Sequence, residues 1–118
     1  MAYSFYDDAN SVYRSLVNGF NEYSKENGLG IYVHLTMLTP ENSTFDFENY
    51  GTTIDSLLSK QSQKYDMFFY YSAYTKRYGD HFLNIRKHIP KEYIEQFDEK
   101  LLNETCSSYD NKLIGLVI

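Results

Sequence analysis

This sequence predicts an α/β fold with an open, mostly parallel sheet and flanking helices. Three observations predict it. The hydrophobic rhythm alternates between strand and helix periods, in the order β-α-β-α-β, followed by helices and a final strand. Strands separated by helix-length segments pair in parallel, because a parallel pair needs a long crossover between its members. The run Met67-Phe68-Phe69-Tyr70-Tyr71 is continuously apolar and aromatic, the composition of a central strand covered on both faces.

The elements follow in order. Tyr3 to Tyr6 is the tail of a first strand, shorter than a complete strand would be. Asp7-Asp8-Ala9-Asn10 is turn and cap material, and Asn10 or Asp8 is placed to accept the free amide hydrogens of the next helix. Ser11 to Lys25 reads as an amphipathic helix. Val12, Leu16, Phe20 and Tyr23 fall on one stripe with Val17 beside it, and that stripe is expected to face the core. Arg14, Asn18, Asn21 and Lys25 sit on other faces. Gly28 ends the helix, since glycine tolerates the left-handed closing conformation.

Ile31 to Leu38 alternates in strand period with both faces largely apolar. The loop 39–44 follows, and Asp46 is placed to cap a second helix over Phe47 to Lys60. Phe47, Tyr50, Ile54, Leu57 and Leu58 give its core face. Gly51 weakens that helix by about 1 kcal/mol relative to alanine, which implies that something packs closely there. Asp66 to Tyr71 is the buried third strand. Phe82, Leu83, Ile85 and Ile89 form a short helix or an irregular packed segment. Pro90 opens a helix whose apolar face is Tyr93, Ile94, Phe97, Leu101 and Leu102. Tyr109 to Lys112 is a turn, and Leu113 to Ile118 is the final strand.

The 118 residues suffice for one small α/β domain spanning 1–118. A net charge of −5, without any cluster of Lys and Arg, argues against a nucleic-acid partner. No apolar run approaches the roughly 20 residues that cross a bilayer, which argues against membrane insertion. No secretory leader is visible in Met1-Ala2-Tyr3-Ser4. Cys106 is the only cysteine, so no disulfide forms within the chain. The sequons at Asn42 and Asn103 are what chance supplies in a chain rich in Asn, Ser and Thr.

Candidate ligand-binding residues follow from the topology, because open parallel sheets bind ligands beyond the carboxyl ends of their strands. Tyr6, Asp7 and Asp8 follow the first strand. The acidic pair serves either polar recognition of a sugar, an amine or a metal, or capping and dipole complement at the next helix. Thr39 and Glu41 follow the second strand. Tyr71, Ser72 and Tyr74, with Tyr70, stand at or past the third, where rings stack on a sugar and hydroxyls donate hydrogen bonds, or simply pack under a helix. Adjacent strand residues point to opposite faces, so only one of Tyr70 and Tyr71 meets a groove.

His34, His81 and His88 are scattered, with no pair at helical metal-site spacing. There is no phosphate-binding glycine loop and no nucleophile elbow, so no cofactor and no catalysis are expected. The length and the acidic pair also suit a phosphoacceptor receiver domain. Tyr71 stands at the position of that family's acceptor carboxylate, five residues after Asp66, and excludes it.

Four stretches carry a resemblance. They are Val17-Asn18-Gly19-Phe20-Asn21-Glu22-Tyr23, Ile31-Tyr32-Val33-His34-Leu35, Tyr65-Asp66-Met67-Phe68-Phe69-Tyr70, and Tyr109 to Leu116. In order and spacing they resemble the amino-terminal portion of extracellular solute-binding proteins of the periplasmic-binding-protein-like II fold, fungal versions above all. Val117 stands where that family usually has proline, and the first strand is clipped. The resemblance implies a partial lobe of a two-lobe protein less than half present here, an extracellular or cell-surface location, and a receptor ectodomain among its settings. The implied function is capture of a sugar-like or amino-acid-like solute between lobes that close, with a second lobe or a homo-oligomer partner completing the cleft. The alternative reading is a self-contained α/β protein-interaction module.

Overall fold

A hydroxyl starts the first helix. Ser11 Oγ accepts from the Arg14 amide at 3.3 Å, and α1 then runs Val12–Glu26. At its other end Asn27 is the cap and Gly28 takes φ +64°, a conformation that costs glycine little. Leu29 N donates to Ser24 O and Gly28 N to Lys25 O, the paired bonds that close a helix around a left-handed residue. The computed structural model describes residues 1–4, 11–42 and 47–117, with α1 followed by four further helices and by a two-stranded parallel sheet: β1 (Ala2–Tyr3), β2 (Met37–Leu38), α2 (Phe47–Ser59), α3 (Thr75–Tyr78), α4 (Lys91–Ile94) and α5 (Glu99–Thr105). The class is mixed α/β, rich in helix. The expected cap Asn10 or Asp8 and the cap Asp46 lie outside the described residues; Ser11 does the first job.

The chain divides into two units, Met1–Tyr50 with Lys64–Phe69, and Gly51–Gln63 with Tyr70–Ile118. In the first, β1 and β2 pair in parallel with Ala2 opposite Met37 and Tyr3 opposite Leu38. Ala2 N donates to Thr36 O and Ser4 N to Leu38 O. Met1 bonds elsewhere: its amino group donates to Met67 O at 2.9 Å, and its carbonyl accepts from Phe69 N at 2.9 Å. Those two bonds have the slanted spacing of a parallel ladder. Tyr50 closes the set, its hydroxyl donating to Phe69 O at 2.6 Å while its ring lies 5.6 Å from that of Tyr3. Tyr13 of α1 meets Phe69 at 4.8 Å.

Two expectations about this unit are corrected. The strand expected over Ile31–Leu38 is reduced to Met37–Leu38, because the backbone of Ile31 and Val33 bonds to side chains of α1 instead of to a strand. The strand expected over Asp66–Tyr71 is reduced to the ladder bonds at Met67 and Phe69, and Met67 and Tyr71 are exposed, so it is not covered on both faces.

The apolar stripe of α1 is also corrected. Val12, Leu16, Phe20 and Tyr23 are 63%, 46%, 37% and 57% exposed, while Val17 and Ser24 are buried. The hydrogen bonds of Asn21 and Ser24 fix the rotation of the helix and leave the stripe outward.

In the second unit, Ile54 of α2 and Tyr78 of α3 are fully buried. Tyr78 donates its hydroxyl to Gly51 O at 2.6 Å and stacks on Tyr74 with 5.6 Å between centroids. A Cβ on Gly51 would lie 2.5 Å from the Tyr74 ring, which is the close packing expected at that glycine. Ile94, Leu102, Cys106 and Leu113 form a core cluster, with Ile85, Ile89, Phe97 and Leu116 against it.

The single helix expected after Pro90 is two short ones. Asp98 breaks it by capping α5, its carboxylate accepting from Leu101 N at 2.8 Å. The final strand is likewise corrected to a turn with one antiparallel bridge, Ser107 to Leu113, in which Asn111 takes φ +60°.

Candidate functional site

The site most fully built by the described residues lies along α1. Ser24 Oγ donates to Ile31 O at 2.5 Å and accepts from Ile31 N at 3.3 Å. One helical turn earlier, Asn21 Nδ2 donates to Val33 O at 3.0 Å and Asn21 Oδ1 accepts from Val33 N at 2.8 Å. The second pair is reciprocal. A carboxamide carries the same donor and acceptor as a peptide group, so Asn21 replaces one rung of a neighbouring strand. Each step of three residues back along α1 matches two residues forward along the extended segment.

The next rung in that series is Asn18 with Leu35, and it is open. Neither the Asn18 carboxamide nor the Leu35 backbone makes a hydrogen bond among the described residues. A groove of about 250 Å³ occupies the place, lined by Arg14, Asn18, Asn21, Tyr32, His34 and Leu35 among others. Tyr32 and His34 form an edge-to-face pair 4.8 Å apart on one wall. Arg14 brings a planar guanidinium, His34 an imidazole ring, and Asn18 both a donor and an acceptor. Donors and acceptors of these kinds are suited to planar hydrogen bonding with a small polar group. They offer no nucleophile poised against a base.

Of the residues expected to bind ligand, Tyr6, Asp7 and Asp8 lie outside the described residues. Thr39 is buried and serves its own turn: its amide donates to Asn42 Oδ1 at 2.9 Å, and its Oγ1 accepts from Asn42 N at 3.3 Å. Glu41 is exposed in that turn. In the second unit Tyr71 and Ser72 are exposed at the start of a short 3-10 turn over Ser72–Tyr74, and Tyr71 O accepts from Tyr74 N. Tyr74 is half-buried between the Gly51 position and Tyr78. Burial raises the phenol pKa values of Tyr70 and Tyr78 above the usual 10.0, which keeps both in the neutral, donating form.

Among the described residues no group of three or more His, Cys, Asp or Glu is placed to hold a metal, and no helix is long and apolar enough to cross a membrane. Cys106 is buried in the second core and free.

Sequence reasoning passed over Asn18, Asn21, Ser24 and His34. A signal existed: Asn18, Asn21 and Ser24 recur every three residues in a helix whose other polar side chains, Ser15 and the tyrosines apart, are charged. Asn and Ser are poor residues for helix interiors unless their side chains have work to do.

No family model, no curated protein and no solved structure is significantly similar to this chain.

Proposed function

We propose that this chain is a non-catalytic, solute-binding α/β lobe of the periplasmic-binding-protein-like II kind, which holds its ligand together with a second lobe that it does not itself supply. The observation that carries the reading is the parallel ladder around Met1–Ser4, bonded to 36–38 through Ala2 and Ser4 and to 67–69 through Met1. A first strand flanked by the second and the third is the arrangement in which α/β sheets bind small molecules beyond the strand ends. The loop that follows the second strand, with Thr39 and Glu41, is a wall in this reading; Tyr71, Ser72 and Tyr74 belong to the second unit. An extracellular or cell-surface location is part of the same proposal.

The outward stripe of α1 supports the incomplete half of the proposal. Four large apolar side chains in line on one helix face are more than scattered surface hydrophobes, and such patches mark surfaces that are covered in use. The same stripe favours one other reading, a protein-interaction module without a ligand.

Calorimetry separates the two. A micromolar site is worth about −8 kcal/mol, and losing half of that leaves about millimolar affinity. Against a panel of neutral sugars, sugar acids and amino acids, the lobe reading expects weak binding to one class. Affinity in the low micromolar range overturns the need for a second lobe, and no heat from any member at high concentration favours the interaction module.

A further inference from the structure

We infer that the outer edge of the segment Tyr32–His34 is a docking strand for an extended peptide of a partner protein. The segment is held from one side only. Ser24 bonds both backbone groups of Ile31, and Asn21 bonds both of Val33. In an extended chain, successive residues aim their N–H and C=O at opposite edges. The backbone groups of Tyr32 and His34 therefore point away from α1. Neither residue makes a backbone hydrogen bond among the described residues, and both residues are exposed. The same edge is already a ladder further along. Thr36 O accepts from Ala2 N and Leu38 O from Ser4 N, so 32, 34, 36 and 38 share one side. β1 fills the row beside 36–38; among the described residues no strand bonds to the row beside 32–34.

Spacing selects the occupant. Two donor–acceptor pairs stand two residues apart, about 7 Å along one line. A solute with one ring or one amide meets a single pair, whereas an extended backbone meets both, as in the addition of a strand to a sheet edge. The side chains of α1 hold the strand extended in advance, so less ordering is left to pay for on binding. Tyr32 and His34 point to one face, edge to face at 4.8 Å. They suit a β-branched or aromatic side chain of the peptide across from them. Peptide docking at this edge does not depend on a solute cleft.

The test is an amide-detected NMR titration of the 118-residue chain with the capped hexapeptide Lys-Val-Thr-Val-Thr-Lys. Saturable shifts are expected at the Tyr32 and His34 backbone amides, with a dissociation constant of about millimolar. Acetyl-valine amide, which offers the backbone of a single residue, is expected to give no saturable shift at the same concentrations. Two N-methylated hexapeptides of unchanged charge, one blocked at both valines and the other at both threonines, separate the two edges of the peptide. One is expected to lose affinity by about tenfold or more and the other to keep it, because alternate residues face alternate edges. Loss by both methylated peptides or by neither overturns the docking edge. So do acetyl-valine amide binding as tightly as the hexapeptide, shifts confined to other residues, and no saturable response to the hexapeptide.

Discussion

Asn21 and Ser24 set more of the first unit than any apolar residue near them. Each bonds both backbone groups of one residue, and together they hold 31–33 extended without a partner strand. Asn21→Leu keeps the volume and removes both bonds to Val33, leaving a half-buried amide and carbonyl unmade. A loss of about 1–3 kcal/mol in urea denaturation is expected, against little change for Asn18→Leu, whose amide makes no bond among the described residues. A loss at Asn18 equal to that at Asn21 would refute the ladder. This is also where sequence reading stopped short. Periodicity ranks residues by hydrophobicity, and by that measure Asn21 and Ser24 belong outside and Leu16 and Phe20 inside. Hydrogen bonding to residues seven and twelve positions further along reversed the order, and no window over α1 alone contains that segment. The tyrosines give a second residue-scale test. Burial raises the Tyr70 and Tyr78 pKa values, so the folded chain keeps protons that the unfolded chain gives up near pH 10. Their contribution to stability is complete below about pH 10 and is lost as pH climbs through the raised values. Urea midpoints are expected to be level below about pH 10 and to fall above it, less steeply in Tyr78→Phe. Equal slopes in both proteins would contradict the assignment.

At the scale of elements, two interior glycines make opposite predictions. Gly19 in α1 has nothing within 4 Å of where its Cβ would stand, whereas Gly51 in α2 has the Tyr74 ring at 2.5 Å. Gly19→Ala is expected to stabilise by about 1 kcal/mol, and Gly51→Ala to destabilise by about 1–3 kcal/mol. Thermal melts of the two variants check both signs, and a stabilising Gly51→Ala would mean that the Tyr74 packing is unimportant. The close approach at Gly51 was legible from sequence because a glycine in an otherwise good helix needs a reason. The extents of α1 and α2 were legible within a residue or two, since each carries 13 or more residues of 3.6-residue periodicity. The break between α4 and α5 was not. Tyr93, Ile94, Phe97, Leu101 and Leu102 keep helical spacing straight through it, and only the cap at Asp98, an aspartate among ordinary surface charges, marks where the backbone starts afresh.

For the molecule as a whole, the expected strands over 31–38 and 66–71 were read at the right places but too long, and the expected final strand is a turn with one bridge. Apolar alternation over 31–38 and the aromatic run over 67–71 report side chains that suit a strand. They do not report which backbone groups find partners, and among the described residues ladder bonds reach 36–38 and 67–69. The outward stripe of α1 follows at the same scale: a helix whose polar face is turned in by hydrogen bonds leaves its apolar face for something else to cover. Sedimentation velocity over a wide concentration range, on the wild-type chain and on a Leu16→Glu, Phe20→Glu double variant, tests that claim most directly. The account predicts reversible, concentration-dependent association of the wild type, abolished in the double variant with its unfolding midpoint unchanged; a wild type that stays monomeric at every concentration, or a double variant that unfolds, would contradict it.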